Sequence, residues 1–206
     1  MVFPATDTST TLTVLTANQI ATSFSGLMAS QSIAYGTPGV ALNGNISTPG
    51  AAYPASGEPI AVIINGVTQT TSINDSTGDF SLSYTNTGGL PTSAVAYTIT
   101  YAYAGDNVLP PASDSSTALT VIQGTPILTW TNPASIIYGA LLTTNELDAT
   151  AREPGSFVYC PTNGTALDTG TNTLSVVFTP TDTVDYTGTT NTVSVVVEPA
   201  VLTVIV

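Results

Sequence analysis

The stretch SIAYG at residues 32–36 returns as SIIYG at residues 135–139, and a chain that repeats itself is built from repeated structural units. After the first copy come GVALNGNIS, PIAVIINGVTQTTSI, DFSLSYT, VAYTITYAYAG and STALTVI; after the second come NELDATA, GSFVYC, TNTLSVVFT and NTVSVVV. Leu119 and Val121 alternate with Ala118 and Thr120, the period-two mark of a half-buried strand. Tyr97, Ile99, Tyr101 and Tyr103 fall on one strand face, as do Leu174, Val176 and Phe178, and these two stripes are the expected cores. Asn65-Gly66 between two apolar runs signals a two-residue hairpin. The segment 74–78 reads as a longer polar turn, and Asn163-Gly164 and Thr169-Gly170 as further turns. Short strands at this spacing, with no 3.6-residue period, predict an all-β chain of two sandwiches or barrels.

Composition narrows what such a chain can do. Charged residues make up 7% of the 206 positions, against roughly 25% in a typical soluble domain. Thr, Ser, Asn and Gly therefore supply the polar surface, and β-branched Thr suits a pleated one. The net charge is −12 and the only cation is Arg152. Such a chain cannot neutralise phosphates, so no nucleic-acid partner is expected, nor an anionic membrane surface. No run approaches the roughly 18 apolar residues of a membrane span. The scarcity of basic residues beside abundant Thr and Ser points to an extracellular or cell-surface setting.

The motifs carry a family resemblance. SIAYGT, INGVTQTTSINDSTGDFSLSY and YTITYAYAGD followed by SDSSTALTV resemble the bacterial Ig-like repeats of large surface proteins. PGSFVYCPTNGTALDTGTNTLSVVFTPTDTVDY is similar to a shorter subtype of the same repeats. The resemblance covers nearly the whole chain and implies two tandem immunoglobulin-like β-sandwiches, at residues 16–123 and 124–198, with a linker near Gln123-Gly124-Thr125-Pro126. It also implies a structural, non-catalytic role without cofactors, as a spacer, adhesin stalk or fibre module. In this alignment Leu109 takes the place that Tyr186 has after the acidic turn, and Cys160 replaces a small hydroxyl residue.

Both ends carry extra strand-like sequence. VFPATDTSTTLTVL at residues 2–15 matches LPPASDSSTALTVI at 109–122, so residues 1–15 read as an additional last strand. Residues 199–206 restart as residues 125–130 do, so they read as the first strand of a following domain or subunit. Two readings stay open here. The chain is a window on a longer array of Ig-like domains, or it forms a head-to-tail homopolymer by strand donation, with Leu12, Val14, Leu202, Val204 and Val206 as the intersubunit strand residues.

The candidates for chemistry are few. Asp168-Thr169-Gly170 has the form of an aspartic-protease triplet, but that chemistry needs two carboxylates sharing a proton, and the first repeat has no second copy. Without His, neither a Ser-His-Asp nor a Cys-His system can be assembled, and one Cys with no His leaves no standard zinc site. Calcium accepts carboxylates and carbonyls, which makes Asp75 with Asp79, and Asp182 with Asp185, the candidate ligand pairs. Phe157 and Tyr159 are expected to face inward, leaving Val158 and Cys160 on the outer face. Asn45, Asn74 and Asn163 fit the glycosylation sequon. The leading expectation is a surface stalk or filament; the alternative is an adhesin that binds glycan or protein through loops at a sandwich end.

Overall fold

Period-two alternation in the sequence becomes fourteen strands among the described residues of a computed structural model, which describes residues 20–85 and 87–201. The donor-strand residues Leu12, Val14, Leu202, Val204 and Val206 lie outside the described residues. In chain order the strands are β1 (Ser23–Ser25), β2 (Gln31–Ala34), β3 (Gly39–Ser47), β4 (Pro59–Ile64), β5 (Val67–Ser72), β6 (Asp79–Thr85) and β7 (Tyr97–Tyr103). They continue with β8 (Ala112–Ile122), β9 (Leu128–Thr129), β10 (Ile136–Ile137), β11 (Thr150–Ala151), β12 (Gly155–Cys160), β13 (Gly170–Pro180) and β14 (Thr189–Glu198). The first repeat forms two sheets, ordered β1-β3-β6 and β2-β8-β7-β4-β5. The second forms a sheet β10-β14-β13-β12 and a short pair β11-β9. No helix among the described residues is long and apolar enough to cross a membrane.

Local sequence explains the pairing. Asn65 and Gly66 both adopt positive φ, 48° and 77°, as a type I′ turn requires, and Ile64 pairs directly with Val67 across it. Along β4, Ile60, Val62 and Ile64 are buried while Ala61 and Ile63 are half-covered. The two sheets face each other through three rings: Phe24 on β1 and Phe80 on β6 meet edge to face at 5.9 Å. Tyr101 on β7 lies 6.0 Å from Phe24 and 5.8 Å from Phe80. Gly44 on β3 makes that cluster possible, because a Cβ there would stand 2.7 Å from the Phe80 ring and 2.5 Å from the Leu27 side chain. The second core gathers Trp130, Leu142, Leu174, Val176, Val193 and Val195, with Phe157 and Tyr159 packed against it. Each fully buried aliphatic side chain there contributes about 1.5–3 kcal/mol relative to leaving it in water.

The repeated motif does the same work twice. β2 runs parallel to β8 with Ala34 opposite Ile122, and β10 runs parallel to β14 with Ile137 opposite Glu198. The next amide closes each ladder: Tyr35 N–H donates to the Ile122 carbonyl and Tyr138 N–H to the Glu198 carbonyl, both at 2.8 Å. Gly36 and Gly139 then turn the chain at φ 85° and 92°. Tyr35 and Tyr138 are therefore equivalent positions.

NELDATA is not the strand that its alternation suggests. Only Thr150 and Ala151 pair, because Glu146 turns back and accepts hydrogen bonds from the Thr143 N–H and hydroxyl, both at 2.8 Å. Leu147 and Ala149 are buried without joining a ladder. Contacts divide the chain into two compact units that cut across the strands. One comprises the described residues of Met1–Met28 with Asn43–Leu82 and Thr100–Ser115. The other comprises Ala29–Leu42, Ser83–Ile99 and the described residues of Ser116–Val206, and so joins part of the first repeat to the whole second one.

Candidate functional site

Within that second unit, the acidic turn of the second repeat carries several polar contacts. Its geometry has a counterpart elsewhere in the chain. Asp106 Oδ1 accepts from the amides of Val108 (2.6 Å) and Leu109 (2.5 Å), and Asp182 Oδ1 accepts from those of Val184 and Asp185, both at 3.0 Å. The Leu109 and Val108 amides hold the Asp106 carboxyl below its ordinary range. Matching the turns places Leu109 opposite Asp185. This corrects the sequence alignment, which set Leu109 against Tyr186; a two-residue capped turn fixes register more tightly than similarity of the flanking sequence.

Asp185 is thus one of the residues that distinguish the two turns, and it has partners. Its carboxylate accepts from the Thr92 amide at 2.6 Å and lies 2.8 Å from the Thr92 hydroxyl, which also lies 2.9 Å from the Val184 carbonyl. Gln123 donates its side-chain amide to the Thr183 and Val184 carbonyls at 2.8 and 3.2 Å. Gly124 bridges to Tyr186 as a strand would: its N–H donates to the Asp185 carbonyl and its carbonyl accepts from Thr187 N–H, both at 2.9 Å. The expected linker is therefore a docked segment. Glycine is needed there, because a Cβ on residue 124 would come within 2.7 Å of the Tyr35 carbonyl. Tyr186 completes the joint by meeting Tyr35 edge to face at 5.2 Å, and burial pushes its phenol pKa up.

Beside this joint lie two open grooves of about 450 and 310 Å³ that share Arg152, Glu153 and Tyr186. Pro154 and Pro180 line the larger and Tyr35 the smaller. Arg152, the chain's only cation, stands exposed at both. Glu153 is held back by accepting the Ile127 amide at 3.2 Å.

The sequence-predicted residues occupy other roles. Asp75 Oδ1 accepts from the Thr77 hydroxyl and amide, at 2.7 and 2.8 Å, and these bonds lower its pKa, the hydroxyl most. Asp79 accepts from the Asn45 amide at 2.8 Å and lies 3.1 Å from the Thr77 hydroxyl. Asp182 and Asp185 are bonded as described above. Among the described residues no group of three or more His, Cys, Asp or Glu gathers to hold a metal ion.

Asn45 sits within β3 with its amide donating to the Thr77 carbonyl at 2.6 Å as well as to Asp79. Asn74 stands in the turn beside Ser81, whereas Asn163 is exposed in its own turn before Gly164. Asp168-Thr169-Gly170 is the exposed entry to β13, where Asn172 donates to the Asp168 and Gly170 carbonyls at 2.8 and 3.2 Å. Cys160 is free and exposed at the end of β12, on the outer face with Val158. The joint around Tyr35, Thr92, Gln123 and Asp185 escaped the sequence reading, although the doubled Tyr-Gly of SIAYG and SIIYG was a signal for it.

No family model matches the chain, and no curated protein matches it. Among solved structures it is similar to the fibronectin(III)-like modules of Clostridium thermocellum CbhA, at 11% identity and a TM-score of 0.31, over 86% of this chain and 94% of that one. It is similar to Drosophila N-cadherin EC1-4 at 12% identity and a TM-score of 0.35, over 86% of this chain and 49% of that one. It is similar to Sidekick-1 immunoglobulin domains 1-5 at 12% identity and a TM-score of 0.27, over 85% of this chain and 41% of that one. At these identities and scores nothing that those proteins do passes to this chain. What its own sheets and cores establish is an all-β chain of immunoglobulin-like sandwich architecture.

Proposed function

We propose that the chain is a structural, non-catalytic protein whose immunoglobulin-like modules, residues 16–123 and 124–198, form part of an extracellular stalk or filament at a bacterial cell surface. The observation that carries this reading is the joint at Gly124. A tether between independent modules needs no partners. Here the connecting segment hydrogen-bonds to the acidic turn, beside which the Tyr35 and Tyr186 rings meet edge to face. A joint so bonded resists bending, as a length-transmitting element must. Electron microscopy of the purified material tests it: uniform fibres or stiff rods are expected, and separate, freely jointed particles would overturn it. Head-to-tail assembly by donation of residues 2–15 extends the reading. Deleting them should abolish fibres while leaving the sandwiches folded, and unchanged fibres would exclude that mode.

The grooves beside Tyr186 favour a second reading, an adhesin segment. Tyr186, Pro154 and Arg152 offer a ring face and a donor fork of the kind that sugars use. A glycan array separates the two, since the structural reading expects no saturable binding.

A further inference from the structure

Ile137, Tyr138 and Leu141 leave 61%, 53% and 53% of their surfaces exposed, three large apolar side chains within five residues. The equivalent tyrosine, Tyr35, is half-buried, and its ring meets that of Tyr186 edge to face. The two positions share a motif, a parallel partner strand, a 2.8 Å amide bond to the last strand and a following glycine of positive φ. They differ in what lies over them.

We propose that the Tyr138 face is a docking surface for another immunoglobulin-like module, one that presents an acidic turn followed by an aromatic, as residues 182–186 do. The occupant is identified by the chain's own precedent: at Tyr35 the cover is the Tyr186 ring, positioned by a turn whose Asp182 caps two amides. A second copy of this chain fits less well. Its turn at residues 182–186 is engaged with Tyr35 and Thr92, and its turn at 106–110 carries Leu109 and Pro110 where an acid and an aromatic are needed. The inference rests on the modular reading above but needs no filament for its test.

Because Glu198 stands where Ile122 does, residues 123–198 grafted directly after Glu198 of the full chain present the turn in the register it has on Tyr35. Nitration of tyrosines by tetranitromethane, read residue by residue by mass spectrometry, reports ring exposure. In the native chain Tyr138 should react much faster than Tyr35. In the extended chain its reactivity should drop to that of Tyr35, and replacing the appended counterpart of Tyr186 with Ala should restore it. Fast reaction at Tyr138 in the extended chain, with the appended module folded, would overturn the proposal. So would an appended module that stays unfolded, since the same segment folds against the Tyr35 face. Protection of Tyr138 in the native chain that grows with concentration would make a second copy the occupant and overturn the proposal as well. Loss of the stalk reading in the microscope would leave the graft result standing, so the two failures are distinguishable.

Discussion

Asp185 accepts the Thr92 amide at a partly buried position, with the Thr92 hydroxyl 2.8 Å away, and a bond to a charged acceptor there is worth about 1.5–3 kcal/mol. Asp185→Ala should lower the stability measured by denaturant unfolding by that amount, and Asp185→Asn by less. A loss below about 0.5 kcal/mol in Asp185→Ala would mean that the joint does not depend on this acid. The other polar pair hidden from the sequence is Tyr103, whose hydroxyl donates to Glu58 at 2.5 Å. Burial first, then the Glu58 carboxylate, pushes this phenol well above its usual range. A group whose folded pKa is raised contributes stability that is complete below its unfolded value and lost as pH rises. The melting temperature should therefore fall steeply above about pH 10. Tyr103→Phe should blunt that fall while costing stability at neutral pH; an unchanged alkaline profile would assign the fall to other tyrosines.

At the scale of elements, legibility followed locality. The hairpin at Asn65-Gly66 and the faces of β7 and β13 were readable because turn chemistry and period-two alternation lie within a few residues. Three-residue β1 was not readable: Phe24 is placed by Phe80 and Tyr101, far away in sequence. NELDATA misled for the converse reason, since its alternation is real but Glu146 diverts the backbone into a turn. The joint went unread because Gln123 finds its acceptors 60 residues later, and the doubled Tyr-Gly does not name them. Gly44 is likewise meaningful only once the rings beside it are known. Gly44→Ala should destabilise by about 1–3 kcal/mol through overpacking against Phe80 and Leu27, measured as a lower denaturation midpoint with unchanged slope. Gly44→Ala with Leu27→Ala should recover part of that loss; no recovery would place the strain at Phe80 alone.

For the whole molecule, charge and its scarcity set the behaviour. With no His and no Lys, few groups of the chain change charge between about pH 6 and 9, and the melting temperature should be nearly flat there. The Asp75 and Asp106 carboxyls, held low by their turn amides and hydroxyl, contribute stability above the ordinary carboxylate range and lose it as pH falls through their folded values. In the same range the net charge of −12 is neutralised and self-repulsion fades, so light scattering should rise below about pH 4. A melting point that shifts by many degrees between neutrality and pH 9 would contradict this account. Trypsin has one site, Arg152, followed by Glu153 and Pro154, so even the denatured chain should yield at most two fragments on a gel.

The difference between the acidic turns also makes the two stretches non-interchangeable. A socket built from Tyr35, Thr92 and Gly124 accepts a turn carrying Asp185 and Tyr186, and the turn carrying Leu109 and Pro110 has neither group. Put residues 106–110 in place of residues 182–186, and the contacts to Thr92 and Tyr35 are lost although every strand is retained. Two turns with the same backbone capping are thus not spare copies of each other: what the turn at 182–186 holds is written in the two residues that the other lacks.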